Sequence, residues 1–319
     1  MSVRALLLCA GLGTRLRPLT YVRAKAAVPV NGETLARRAI AWLAGHGIRD
    51  LVVNLHHRPE SIAASVGDGG DLGVRVRYSW ETPVLGSAGG PRHALPLLTD
   101  GGTSRFLLVN GDTLTDVDLP ALLAAHERTA AAVTMALIPN PRPDTYGGVR
   151  VSEEGWVTGF TRAGTPGVSF HFVGVQVAEA RVFAALSDNV PAESVNALYP
   201  ALIAREPHAV GAYVSGAGFH DIGTPADYLR TSLALAAREG DRLVSGRGCR
   251  IADSARLRRT AVWDDVTIGG DASLDECIVC DGVRIPDGAR YERVAIAPAS
   301  ASPTGGGADV DGTLLIEPI

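Results

Sequence analysis

The chain has 319 residues, of which 46% are hydrophobic and 20% charged, with a formal net charge of −4. This is an ordinary globular composition, long enough for one large domain and a smaller one. It excludes a broad basic field for nucleic acid, a membrane span of roughly 20 apolar residues and a disulfide framework, so a cytoplasmic protein with no membrane or nucleic-acid partner is expected.

The chain opens with an apolar run, Ala5 to Ala10, which reads as a buried parallel strand ending at Gly11-Leu12-Gly13-Thr14. Arg15-Leu16-Arg17-Pro18 and then Lys25 follow. Strand, glycine turn and clustered cations make a place to hold a polyphosphate, because glycine lets backbone N–H groups come close and Arg and Lys neutralise charge. The run is neither the GxxxxGK[ST] loop nor the GxGxxG dinucleotide fingerprint, and a tight β–α turn without a ligand explains GxG alone as well.

Leu35 to Ala44 is expected to be a helix, Ile48 to Leu55 a strand, residues 59–66 a short helix opened by proline, Val74 to Ser79 a half-exposed strand and Phe106 to Val109 a buried one. Alternating strands and helices predict a Rossmann-like, mostly parallel sheet covered on both faces, with ligands beyond the carboxyl ends of the strands. The Gly11 turn, the Asn54–His56 segment and Asn110-Gly111-Asp112 then share one rim. Glu81 to Pro91 reads as a second glycine-rich loop, where small residues leave room for a flat ring. Asp112 at a strand end could hold a divalent cation, although an N-G-D turn is commonly only a turn.

A strand over Ala130–Ile138, a β-hairpin over Tyr146–Phe160 and a strand over His171–Val177 come next. Glu193 reads either as a ligand for sugar hydroxyls or as an exposed acid at a helix start. Thr224 is placed to cap a helix whose first residue is Pro225, with Asp221 just before the turn. Beyond Arg238 the pattern changes. Ile251, Ile268 and Ile285 recur every 17 residues, as do Leu257, Leu274 and Tyr291, and Val262, Val279 and Ile296. Steps of 6, 5 and 6 within each repeat are the hexapeptide spacing of a stacked solenoid. Cys277-x-x-Cys280 within it reads as a pair of small buried hydrophobes. Residues 299–311 are expected to be mobile, with Leu314 to Ile316 returning as a strand.

Three motifs in order resemble the sugar-1-phosphate nucleotidylyltransferases. GLGTRLRPLT with Lys25 is similar to GxGTRLxPLT…PK, with Ala24 in place of the proline. Leu85-Gly86-Ser87-Ala88-Gly89 is similar to L-G-T-A-G, and Phe219 to Tyr228 to W-x-D-I-G-T-P-x-x-Y with Phe219 for tryptophan. The family's E-K-P element is missing, and Thr161-Arg162-Ala163-Gly164 stands in its place. With the solenoid, which resembles the left-handed β-helix of hexapeptide proteins, the chain is most similar to the mannose-1-phosphate guanylyltransferase branch. That resemblance implies a nucleotidyltransferase domain over 1–238, a hexapeptide-repeat β-helix over 246–297 and a flexible tail over 298–319. It implies transfer of a nucleotide from a nucleoside triphosphate, GTP before UTP, to a sugar-1-phosphate with release of pyrophosphate, in a homo-oligomer (dimer or higher).

The resemblance also implies roles residue by residue. Arg15, Lys25 and Asp112 would be catalytic, and Asp112 and Asp221 would hold Mg²⁺. Leu8, Ala10, Gly11, Gly13, Thr14, Gly86, Ser87, Ala88, Gly89 and Asn110 would bind the nucleotide. Gly148, Arg162, Gly174 and Glu193 would bind the sugar phosphate. A uridylyltransferase and a nucleotide-sugar sensor without turnover are the alternatives, and intact Lys25, Asp112 and Asp221 argue against the sensor.

Overall fold

The computed structural model describes residues 3–240, 245–302 and 309–319, with backbone alone for 309–311. The chain forms two compact units, each built from separated segments: Met1–Gly11 with Arg38–His220, and Leu12–Arg37 with Asp221–Ile319. These compact units interleave the sequence, because Leu12–Arg37 packs with the C-terminal part of the chain.

The first unit is a mixed α/β layer structure. Its strands are β1 (Arg4–Leu8), β2 (Asp50–Leu55), β3 (Arg75–Trp80), β4 (Arg105–Asn110), β5 (Val133–Pro139), β6 (Gly148–Val151), β7 (Val157–Thr161), β8 (Phe170–Glu179) and β9 (Val210–Val214). They form one sheet in the order β7-β6-β8-β4-β1-β2-β3, with β5 pairing β8 and β9 pairing β5. The pairs β4–β1, β1–β2 and β2–β3 are parallel, and β8 runs antiparallel to β4. Apolar runs such as Ala5-Leu6-Leu7 are fully buried because both faces of the sheet are covered. The longer helices are α1 (Leu35–Gly45), which begins in the other unit's segment, α2 (Pro59–Val66), α3 (Gly86–Thr99), α4 (Leu119–Thr129) and α5 (Tyr199–Arg205), with a short one over Ala180–Ala184.

One expectation is corrected. Residues 86–91 are not a loop but the first turns of α3, despite Gly86, Gly89, Gly90 and Pro91. Ala88, Gly89, Gly90, Pro91, Ala94 and Leu95 are all buried, so packing on the sheet outweighs poor helix propensity.

In the second unit, Leu12–Arg37 contributes short turns over Thr14–Leu16 and Lys25–Ala27 and the strands Pro29–Val30 and Glu33–Thr34. Helix α6 (Pro225–Arg238) is capped by Thr224, whose hydroxyl accepts from the Asp227 N–H, as the sequence predicts. Three stacks of short parallel strands follow. Ile251 pairs Ile268 and then Ile285, Leu257 pairs Leu274 and then Tyr291, and Val262 pairs Val279 and then Ile296, so the 17-residue period is the strand register. Val266, Ile268, Leu274, Cys277, Val279 and Ile285 fill the interior. Leu314–Pro318 pairs antiparallel with Val294–Pro298 and covers that edge. The stretch read as mobile holds a short turn at Ala299–Ala301 and a strand at Asp309–Asp311, while residues 303–308 lie outside the described residues. Among the described residues no helix is long and apolar enough to cross a membrane.

Candidate active site

The carboxyl ends of β1, β2 and β4 lie side by side, with Leu8 in register with Asn54 on one side and Asn110 on the other. The rim read from the sequence is therefore present in the first unit. A buried polar network organises it. Asn54 Oδ1 accepts from the Cys9 and Ala10 N–H groups at 2.6 and 3.3 Å. Asn54 Nδ2 donates to Glu81 Oε1 at 2.6 Å, and Glu81 Oε2 accepts from the Leu85 N–H at 2.7 Å. Asn54 and Glu81 are each only 2% exposed. The turn after β1 and the start of α3 are thus tied together through two side chains. The sequence reading placed Asn54 on the rim but gave Glu81 no role; a carboxylate directly after a strand and four residues before Leu85 was the available signal.

At the start of α3, Ser87 Oγ donates to Glu193 Oε2 at 2.7 Å and accepts from the Ser194 N–H at 2.9 Å. Glu193 is exposed and stands at the N-terminus of a short helical turn, as the helix-start reading has it. Gly174 has φ of 80°, and a Cβ there would lie 2.7 Å from Asn110 Nδ2, so only glycine lets β8 pass the end of β4 this closely. Gly148 pairs Thr161 across the β6–β7 hairpin, which puts exposed Arg162 at that hairpin's end. Nearby, Tyr146, His171 and Phe219 form a ring cluster with centroids 4.5 to 6.1 Å apart, and the Arg142 guanidinium covers Tyr146 at 4.7 Å. His171 Nδ1 is buried without a hydrogen-bond partner among the described residues, and burial beside Arg142 lowers its pKa to about 4. This cluster was not foreseen, because its members are far apart in sequence.

Asp112 follows Gly111, whose N–H donates to the Leu8 carbonyl at 2.9 Å. The Cys9 thiol beneath is fully buried, and burial with the Asp112 charge holds its pKa far above the usual range. The donor offered at this strand end is therefore carboxylate oxygen and not thiolate.

In the second unit, Gly13 has φ of 62° and caps the Thr14–Leu16 turn. Its carbonyl accepts from the Leu16 N–H at 3.0 Å and the Thr20 hydroxyl at 2.9 Å. A Cβ at Gly13 would lie 2.7 Å from Thr20 Cγ2, so the turn needs glycine here. Exposed Arg15 reaches Gly223 of the D-I-G-T-P turn. A Cβ at Gly223 would lie 3.4 Å from Arg15 Nη1, 3.2 Å from Asp221 Oδ2 and 3.3 Å from Asp227 Oδ2. Arg15 and Asp221, remote in sequence, thus meet at one turn. Lys25 opens its own turn and is half-buried. Gly11 closes the first unit's N-terminal segment, exposed at the end of the β1 turn.

Asp112 in the first unit and Asp221 in the second each offer carboxylate oxygen, a hard donor of the kind Mg²⁺ takes. Among the described residues no group of three or more His, Cys, Asp or Glu forms a metal cluster.

The chain is 30% identical to the mannose-1-phosphate guanylyltransferase of Mycobacterium tuberculosis over 303 residues, 92% of this chain and 84% of that protein. It is 32% identical to the N-acetylmuramate alpha-1-phosphate uridylyltransferase of Neisseria meningitidis over 203 residues, 63% of this chain and 84% of that protein. The fold matches HddC from Yersinia pseudotuberculosis with a TM-score of 0.64 at 20% identity, covering 73% of this chain and 99% of that one. The nucleotidyl transferase family matches residues 4–238, the span that holds the Gly13 turn, Lys25, Asp112 and Asp221, and the chain belongs to that family.

Proposed function

We propose that the protein joins GTP to mannose-1-phosphate or a related sugar or cyclitol phosphate, giving a GDP-sugar and pyrophosphate. The chain is a sugar-1-phosphate nucleotidyltransferase. The observation that carries the finer reading is the M. tuberculosis relative, whose match covers 92% of this chain and so runs past the family-matched segment into the stacked repeats. Those repeats are read as a left-handed β-helix of hexapeptide type, and the protein as a cytoplasmic homo-oligomer. The uridylyltransferase reading is supported by the Neisseria relative at 32% identity and by the missing E-K-P element.

In this reading a sugar phosphate oxygen attacks the α-phosphorus in line, a new P–O bond forms, and the bond to pyrophosphate breaks. No protein nucleophile is required, so catalysis is positioning and charge stabilisation. The Gly11–Thr14 backbone and Arg15 hold the departing pyrophosphate, and Lys25 neutralises charge at the α-phosphate. Leu8, Ala10, Asn110 and the Gly86–Gly89 turn receive the nucleoside. Gly148, Gly174, Glu193 and Arg162 receive the sugar phosphate, with Arg162 able to grip it through two N–H groups. Asp112 and Asp221 are the carboxylates that would hold Mg²⁺, which would supply charge neutralisation on the phosphates.

A thermal-shift screen of GTP, UTP, dTTP, ATP and CTP with Mg²⁺, followed by pyrophosphate release with a panel of sugar-1-phosphates, tests this. Stabilisation by GTP and release with one sugar phosphate are expected, and Lys25→Ala and Asp112→Asn are expected to abolish release in a folded protein. Near wild-type rates in either variant would refute the assignment, and release with UTP alone would establish the second reading.

A further inference from the structure

We propose that the repeat unit is a positioning device for the Lys25 segment, acting through Arg23. The inference rests on the catalytic reading of Lys25 given above.

Arg23 stands two residues before Lys25 and has only 17% of its side chain exposed. Its Nε donates to Asp281 Oδ2 at 2.6 Å and its Nη2 to Asp281 Oδ1 at 2.8 Å, a two-point grip on one carboxylate. The same Nη2 donates to Asp264 Oδ2 at 2.6 Å. Asp264 and Asp281 are 17 residues apart and so occupy one corner of successive coils. That corner is itself fixed, since Asp281 Oδ1 accepts from the Asp264 N–H at 3.0 Å and Asp264 Oδ1 from the Arg247 N–H at 2.7 Å. Both carboxylates are therefore aimed before Arg23 arrives. The fork matches the planar guanidinium and would not suit a lysine ammonium.

A second attachment lies on the other side of Lys25. The Arg23 guanidinium lies over the Trp263 ring at 5.6 Å. Trp263 is 1% exposed, and its Nε1 donates to the Tyr228 hydroxyl at 2.8 Å. That hydroxyl donates in turn to the Pro29 carbonyl at 2.6 Å. The segment from Arg23 to Pro29 is thus pinned at both ends to the coils and α6. Between the pins Lys25 opens a single short turn, with the Ala27 N–H donating to the Ala24 carbonyl at 2.8 Å and the Val28 N–H to the Lys25 carbonyl at 3.2 Å. One turn has little stability of its own. Where the family has a φ-restricting proline before the lysine, this chain has Ala24; Ala24, Ala26, Ala27 and Val28 are buried and hold the turn by packing, and the pins fix its two ends.

The test uses the full chain with Arg23→Met and, because that variant leaves two carboxylates without their partner, also Asp281→Asn, which keeps an acceptor for the Asp264 N–H. Two quantities are measured: steady-state pyrophosphate release, and amide hydrogen exchange over residues 24–28 against the rest of the chain. The expected result is a fall in kcat of at least about tenfold in both variants, with KM for the sugar-1-phosphate held within about twofold. Exchange at Ala27 and Val28 is expected to rise while the sheet and the coils stay protected. Unchanged exchange at these amides, kcat within about twofold of wild type, or a uniform loss of protection would each overturn the proposal. The exchange readout does not depend on turnover, so a wild-type protein that released no pyrophosphate under any pairing would overturn the catalytic reading separately from the pins.

Discussion

Glu81→Gln is a one-atom change in the network that ties the β1 turn to the start of α3. Glu81 accepts at both oxygens, from Asn54 Nδ2 and from the Leu85 N–H. Neither neighbour can reverse its role. The Leu85 amide is a donor only, and Asn54 must present its oxygen to Cys9 and so its nitrogen to Glu81. Glutamine brings one acceptor and one donor, which leaves a buried N–H facing another N–H whichever way the amide is turned. The loss is one hydrogen bond to a charged group, about 1.5–3 kcal/mol, plus part of the penalty for an orphaned donor, about 1–3 kcal/mol. A destabilisation of about 2–4 kcal/mol is expected, large for an isosteric substitution in a protein whose margin is on the order of 10 kcal/mol. Urea unfolding followed by tryptophan fluorescence is the assay, because Trp42, Trp80 and Trp156 of the four tryptophans lie in this unit. The nucleotide KM should rise with kcat less affected, since Ala10 and Leu85 are held by this network. A change below about 0.5 kcal/mol would show that the network is not closed as described.

Gly174→Ala places a Cβ within 2.7–2.9 Å of the Asn110 side chain and at φ of 80°, so it should cost about 2–4 kcal/mol in the same unfolding assay and weaken nucleotide stabilisation in thermal shift. His171 gives a pH signature. Its pKa falls from 6.5 to about 4 on folding, so the unfolded chain binds the extra proton between those values, and stability is lost as pH falls through that window. Wild type should therefore lose stability faster than His171→Phe between pH 6.5 and 4, and parallel pH profiles of the two melts would refute the burial argument.

Local chemistry was legible in the sequence; juxtaposition was less so. Apolar runs announced the strands, Thr224-Pro225 announced α6, and the 17-residue repeat became the strand register of the coils. The start of α3 was misread because Gly86-Ser87-Ala88-Gly89-Gly90-Pro91 has the propensity of a loop, and burial against the sheet decides it. The interleaved units were hidden for a related reason. Arg23 shows nothing in sequence of its pairing with Asp264 and Asp281, more than two hundred residues away. The Asn54–Glu81 network was half visible, as a polar residue closing an apolar strand, but its partner could be found only once β2 and β3 lay side by side.

The departures from the family pattern divide into two kinds. Ser87 replaces threonine where the structure uses only the hydroxyl, which donates to Glu193 and accepts from the Ser194 N–H. Phe219 replaces tryptophan where the structure uses an aromatic ring, packed edge-on against Tyr146 and tilted against His171. Both keep the contact that matters locally. Thr161-Arg162-Ala163-Gly164 is different, because it replaces an acid, a lysine and a proline with one exposed arginine in a turn closed by the Thr165 N–H on the Arg162 carbonyl at 3.2 Å. On the proposed reading the Tyr146, His171 and Phe219 rings are the neighbouring surface, and rings suit an apolar sugar face rather than a hydroxyl. On that reading selectivity for the sugar would lie in the β6–β8 region, and the turn residues that resemble the family most closely would meet the shared triphosphate.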